Sequence, residues 1–216
     1  MSIKRGLTAI IGGGGKSSLL LKLGRELREK GNVILCSSTR IFPPEGVACL
    51  LTPGRERIAD CLGKSNLICV GDPVEANKIS LERTSVSMLL ELADYVLCEA
   101  DGSKHLPLKA HLEHEPVLPG ETGRCILVVG VDGVGGRIID KAHRPERYAN
   151  ILKKNIEALV TPQDVANVIE QEGYGDFVLI NKVETDADRE ISREISQGLS
   201  RPSAMASIQE EWICAL

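Results

Sequence analysis

The sequence predicts an α/β protein. It reads as a mostly parallel sheet covered by helices on both faces, the three-layer arrangement of P-loop NTPase-like folds. Three observations carry this. Short apolar runs of strand length alternate with helical stretches along the 216 residues, and the connections between them are short, as in a parallel sheet with helical crossovers. The helical stretches space their apolar residues at i, i+3, i+4 and i+7. The first strand ends in Gly12-Gly13-Gly14-Gly15-Lys16-Ser17-Ser18, which opens a helix. Strand, glycine turn, Lys-Ser and helix together make a phosphate-binding loop.

The loop is shorter than the eight-residue pattern. That pattern needs a glycine at position 10, where this chain has Ile10. What remains is Gly12-x-x-Gly15-Lys16-Ser17, a form similar to the loops of Mur-type peptide ligases, which bind ATP. Glycines let backbone N–H groups converge on an anion, and the helix start adds unpaired N–H groups and its positive dipole end. Gly12, Gly13, Gly14, Gly15 and Ser18 would line the phosphates. Lys16 would reach the outer ones, and Ser17 would place its hydroxyl on Mg²⁺.

The elements follow in order. Residues 7–11 are the first strand. Residues 17–30 form an amphipathic helix with Leu20, Leu23, Gly24 and Leu27 inward, closed by Gly31. A strand over 32–36 runs into Ser37-Ser38-Thr39-Arg40, hydroxyls on the edge where α/β sheets bind ligands. They serve phosphate, metal or substrate, or else turn and cap chemistry. A short helix covers 54–62 and a strand 67–70. A helix over 82–93 turns Val86, Leu89, Leu90 and Ala93 inward, and a buried strand spans 95–98. Residues 103–123 lack periodicity, and so long a loop reads as functional. Residues 125–131 are strand. The glycines of 130–136 do not match the dinucleotide fingerprint and read as a flexible turn. Pro145 starts a helix with Tyr148, Ile151 and Leu152 inward. Thr161-Pro162-x-Asp164 and Thr185-x-x-Asp188 are capped helix starts. Strands cover 177–180 and 204–208. No repeat or boundary divides the chain, so residues 1–216 are expected to be one nucleotide-binding domain.

Composition narrows the function classes. The net charge is −4, with 26% charged and 43% hydrophobic residues, which is ordinary for a soluble globular protein and disfavours nucleic acid as the main partner. Residues 1–5 lead straight into the first strand, and no run is long enough to span a bilayer. A cytoplasmic protein without a membrane partner is the expectation. The seven cysteines contain no Cys-x-x-Cys pair and read as free thiols, with no disulfides.

Two further motifs stand behind the loop. Glu99-x-Asp101-Gly102 closes a buried strand. Nucleotide enzymes place an acid there to hold Mg²⁺ or to orient an attacking water, and a following glycine N–H can meet the γ-phosphate. Glu99 and Asp101 are both candidate metal ligands, and Lys16 and Asp101 are the candidate catalytic residues. Asn181-Lys182-x-Glu184 follows the strand at 177–180. GTPases carry N-K-x-D there to read guanine, and Glu184 keeps the carboxylate one methylene further out. The pattern leans to GTP without deciding against ATP. His111-x-x-His114-Glu115 is not H-E-x-x-H and has no helical spacing. It reads as a polar loop that folds over nucleotide or substrate, with Lys109, His114 and Glu115 as its working members and Thr39 on the same edge.

These motifs, with Leu106-Pro107-Leu108-Lys109, His114-Glu115-Pro116-Val117 and His143-Arg144-Pro145-Glu146, resemble in order and spacing the YqeC family. Its members are described as selenium-dependent hydroxylase accessory proteins. The resemblance implies a P-loop nucleotide-binding protein using ATP or GTP with Mg²⁺. It also implies a link to maturation of molybdenum hydroxylases, with a client hydroxylase or another maturation factor as partner. The chain departs from the family pattern at Ser38-Thr39-Arg40, His111 and Glu184. Three functions fit: an NTPase acting as maturation factor, an ATP-dependent kinase or ligase acting on a small molecule, and a nucleotide-dependent scaffold without turnover.

Overall fold

The computed structural model describes residues 3–216. Met1 and Ser2, read from sequence as leading into the first strand, lie outside the described residues. The chain forms two compact units. One comprises the chain up to Ile10, Ser17–Gly102 and Val117–Arg124; the other comprises Ile11–Lys16, Ser103–Pro116 and Cys125–Leu216. The glycine loop therefore belongs to the second unit, and the helix it opens belongs to the first from Ser17 onward.

The first unit is built from β1 (Gly6–Gly12, as far as Ile10), α1 (Lys16–Leu27, from Ser17 onward), β2 (Val33–Ser37), β3 (Cys49–Leu51), α2 (Arg55–Lys64), β4 (Leu67–Pro73), β5 (Ile79–Ser80), α3 (Val86–Leu92) and β6 (Tyr95–Glu99). Its strands run parallel in the order β1-β6-β2-β4-β3, with β5 antiparallel to β4. Every residue of β2 and β6 is buried, as strands covered on both faces must be. Leu20, Leu23 and Leu27 of α1 are buried as the helical spacing requires. The α3 helix starts at Val86, not at 82. The buried Asp72 carboxylate accepts the N–H groups of Glu82, Arg83 and Thr84, which holds those residues in a turn that competes with helix.

The second unit contains β7 (Leu108–Lys109), β8 (Thr122–Gly130, from Cys125 onward), α4 (Ile138–Lys141), β9 (Ala142–His143), α5 (Pro145–Leu152), α6 (Pro162–Glu172), β10 (Phe177–Asn181), α7 (Asp186–Gln197), β11 (Ser203–Ser207) and β12 (Trp212–Ala215). Strands β8, β10 and β11 are parallel neighbours, and β12 closes the edge antiparallel to β11. A separate two-stranded parallel ribbon joins β7 to β9. Both predicted capped starts form full capping boxes, Thr161 with Asp164 and Thr185 with Asp188. In each unit the α/β, mostly parallel, three-layer arrangement is the one the sequence predicts.

Differences cluster in short elements. Strands β3, β5, β7, β9 and β12 hold two to four residues, too few for a period to register. The segment 130–136 is not a loose turn. It contains a 3-10 turn, Val131–Gly133, with Val131 and Gly133 buried. A Cβ at Gly133 would lie 2.5 Å from Leu108 Cγ, so the glycine is there for close approach. Among the described residues, none of the seven cysteines is in a disulfide. Among the described residues, no helix is long and apolar enough to cross a membrane.

Candidate functional site

The glycine loop is shaped by its contacts within the second unit. Gly12, Gly14 and Gly15 have φ of 96°, 69° and 115°, values that L side chains avoid. A Cβ on Gly14 would stand 2.2 Å from the Gly130 backbone nitrogen. Neither the torsion nor the space admits another residue. The Gly13 N–H donates to Val128 O at 2.8 Å, and the Gly14 N–H to Leu106 O at 3.2 Å. The loop is thus braced by β8 on one side and by the Ser103–Pro116 segment on the other.

Lys16 is only 4% exposed. Its Nζ donates to Gly12 O at 2.7 Å and to Ser103 Oγ at 3.1 Å. The ammonium is therefore folded back across the loop that would hold phosphate. Asn181 is equally buried. Its Nδ2 donates to Gly14 O at 2.7 Å, and its Oδ1 accepts the Ile208 N–H at 3.1 Å. Both ends of this amide are used to tie β10 and the chain after β11 to the glycine loop. Lys182 has φ of 65° and donates to Asp132 at 2.8 Å. Glu184 is exposed, and its backbone N–H donates to Asp188.

The candidate metal ligands Ser17, Glu99 and Asp101 all belong to the first unit, and two of them, Ser17 and Glu99, meet. Ser17 Oγ donates to Glu99 Oε2 at 2.8 Å, which brings a hydroxyl and a buried carboxylate within one coordination shell of each other. Hard oxygen donors of this kind suit Mg²⁺, which keeps most of its waters and takes few protein ligands. Asp101 is fully buried two residues on. Gly102 is exposed, and a Cβ there would meet nothing. Ser18 is exposed on the first turn of α1. Ser37 Oγ donates to Glu99 O at 2.7 Å, and lies 3.3 Å from Thr39 Oγ1. Thr39 is thus part of the turn that follows β2, and its N–H donates to Ser37 Oγ.

The Ser103–Pro116 segment carries a second constellation within its own unit. The β7–β9 register pairs Lys109 with His143. The Lys109 side chain is wholly buried and places Nζ 3.3 Å from Glu115 Oε2. Arg144 Nη2 lies 3.5 Å from Glu115 Oε1. Burial pushes the Glu115 carboxyl up, but Lys109 and Arg144 outweigh it and hold the group below its usual range. The His143 pKa is lowered as well, which here favours the neutral form. Burial, then Arg144 and Lys109, lower its pKa to about 4, so the ring is neutral at physiological pH. His114 is exposed and makes no side-chain hydrogen bond or ion pair among the described residues. Lys109 and Glu115 are therefore brought together, and His114 is not brought to them.

Four residues received no role from the sequence. Ser103 accepts the Lys16 ammonium, and a hydroxyl just after Glu99-Ala100-Asp101-Gly102 was its signal. His143 and Arg144 stood in a quoted motif with no chemistry attached to it. His111 is held by Glu172, which accepts its N–H at 2.6 Å and lies 2.8 Å from Nδ1. These residues are 61 apart in the chain, and no local pattern links them.

Comparison with known proteins adds two findings. A family model described as "YqeC protein" matches residues 8–146. A relative from Escherichia coli (strain K12), "Uncharacterized protein YqeC", is 27% identical over 169 residues. That match covers 74% of this chain and 66% of the relative, just under two thirds of its length.

Proposed function

The chain belongs to the YqeC family, and from that premise we propose that it is a P-loop nucleotide-binding protein. In this reading it is a Mg²⁺-dependent nucleoside triphosphatase that serves as an accessory factor in the maturation of selenium-dependent molybdenum hydroxylases. The observation that supports it most is the buried Lys16 ammonium, folded onto Gly12 O and Ser103 Oγ inside a loop of positive-φ glycines. Phosphate oxygens would replace those two acceptors, and the first N–H groups of α1 would face the anion.

Ser17 and Glu99 would hold the ion, and Asp101 and Gly102 would face the outer phosphate and the attacking water. Bound Mg²⁺ would supply charge neutralisation at the phosphates. Lys16 would release Ser103 as it turns to phosphate, which couples nucleotide to the Ser103–Pro116 segment and offers a switch for a client protein. Asn181 would act on the nucleotide through the loop it clamps. Base preference would rest with Lys182 and Glu184.

The test is binding of ATP and GTP, with and without Mg²⁺, to the wild-type protein and to Lys16→Ala. Saturable binding lost by at least ten-fold in Lys16→Ala is expected. Equal binding and hydrolysis by both proteins would refute the reading. A second reading, a kinase or ligase acting on a small molecule, draws on the buried Lys109–Glu115 pair carried by the segment that touches the loop. It requires nucleotide consumption to depend on a small molecule and not on a protein.

A further inference from the structure

We infer that His143 and Arg144, together with Lys109 and Glu115, form a binding site for a small oxyanion, a carboxylate or a phosphate. All four side chains belong to the second unit, and the site is defined without reference to nucleotide at the glycine loop.

Arg144 is the first reason. It occupies the N-cap of α5 in the left-handed region, with φ of 66° and ψ of 55°. Helices favour Ser, Thr, Asn, Asp or Gly at an N-cap, and a left-handed backbone favours Gly or Asn. Arg144 makes no side-chain cap hydrogen bond, so neither local need explains an arginine. What the backbone conformation does accompany is a guanidinium directed at Glu115, with Nη2 at 3.5 Å from Oε1. Its Nε is buried and has no hydrogen-bond acceptor among the described residues. Nε and Nη2 form one edge of the planar fork, whose geometry matches two oxygens of a single oxyanion. Glu115 meets one end of that edge at long range and leaves the other unmet. The Arg144 side chain is 35% exposed, so its charge meets solvent and the unmet need is that of the buried Nε–H alone.

His143 is the second, independent reason. It is 7% exposed, and its ring makes no hydrogen bond among the described residues. The charged groups acting on it are Arg144, Lys109, Glu115 and Lys104. Kept neutral by burial and by those cations, the ring offers one N–H donor and one lone pair. Its place is fixed by the β7–β9 ribbon, which sets it beside Lys109, and by the Ala110 N–H, which donates to His143 O at 3.1 Å. An oxyanion seated here would accept from Arg144 Nε and from the ring N–H of His143. The alternative is an ion pair that only fastens the loop to α5. That role asks nothing of Nε or of a bare imidazole.

The experiment uses the full chain carrying Lys16→Ala, so that the glycine loop is disabled as a phosphate site. Inorganic phosphate is titrated at neutral pH while the imidazole C–H resonances of the four histidines are followed by NMR, with His143→Gln giving the assignment. A saturable shift of the His143 resonance is expected, with affinity reduced about ten-fold or more when Arg144→Gln is added. Arg144→Gly is the folding control. It relaxes the left-handed backbone, so its thermal midpoint should not fall below that of the Lys16→Ala parent, while phosphate binding is lost to the same degree. No saturable His143 shift in the Lys16→Ala protein would overturn the proposal. So would unchanged affinity in Arg144→Gln. A shift that appears only when Lys16 is intact would assign Arg144 to the nucleotide site and would overturn an independent oxyanion site equally.

Discussion

Asn181 is where the geometry makes its most exposed claim. A sequence pattern of N-K-x-D type assigns this asparagine to a guanine base. In the folded chain its amide donates to Gly14 O and accepts from the Ile208 N–H, at 2.7 and 3.1 Å, and it is 4% exposed. Asn181→Ala removes both bonds and leaves the buried Gly14 carbonyl and the half-buried Ile208 N–H without the amide. Each lost bond is worth about 0.5–1.5 kcal/mol, and each group left unpaired adds about 1–3 kcal/mol when water cannot reach it. Because the small cavity admits some water, the expected loss is about 2–4 kcal/mol. At a urea slope of about 2 kcal/mol per molar, the midpoint falls by about 1–2 M. Under the proposed function the glycine loop would hold the phosphates of either nucleotide, so ATP and GTP should weaken together, by about ten-fold. Asn181→Asp sharpens the test. It keeps the acceptor for Ile208 but turns a carboxylate oxygen toward Gly14 O, and should be at least as harmful at neutral pH. Wild-type stability in Asn181→Ala, or an altered ATP-to-GTP ratio with no loss of stability, would refute the clamp.

Two other outcomes are open to direct measurement. Ser17 is exposed, and its hydroxyl meets Glu99, so Ser17→Ala should fold normally by circular dichroism. It should lose about ten-fold or more of the Mg²⁺-dependent gain in nucleotide affinity and keep the Mg²⁺-free affinity; an unchanged Mg²⁺ dependence would remove Ser17 from the metal site. His143 ties stability to pH. Its pKa is lowered from 6.5 to about 4, so between those values the unfolded chain binds a proton that the folded chain does not. Stability from this group is complete above pH 6.5 and is lost as the pH falls toward 4, by at most about 3 kcal/mol and by less where solvent screens the ring. His143→Gln should flatten the urea midpoint between pH 6.5 and 4.5, and parallel curves for the two proteins would count against the assignment.

Several features were legible in the sequence because their causes are local. The glycine loop is a run of adjacent residues. Thr161 with Asp164 and Thr185 with Asp188 are three residues apart, the reach of a capping box. The α1 stripe follows from helical period alone. The start of α3 was misplaced because Asp72, ten residues upstream, takes the N–H groups that a helix would have used. Strands of two to four residues left no periodic trace. Glu115 and Lys109 could be singled out as charged loop residues. Their partner Arg144 could not, because it reaches Glu115 across 29 residues of chain through a backbone conformation that arginine seldom adopts.

By itself, the sequence determined the α/β class, the family, the glycine loop between strand and helix and the acids at the end of the β6 strand, since each rests on residue types at short, regular spacing. Only the tertiary structure decided what those side chains touch. It turned Lys16 back onto Gly12 and Ser103, joined Ser17 to Glu99, and committed the Asn181 amide to the loop. Among the described residues, it also left the Nε of Arg144 buried without an acceptor beside Glu115. The physical reason is that hydrogen bonds and charge pairs depend on distances of a few ångströms between strand ends. Residues up to 167 positions apart meet there, and no periodicity in the chain encodes which of them will.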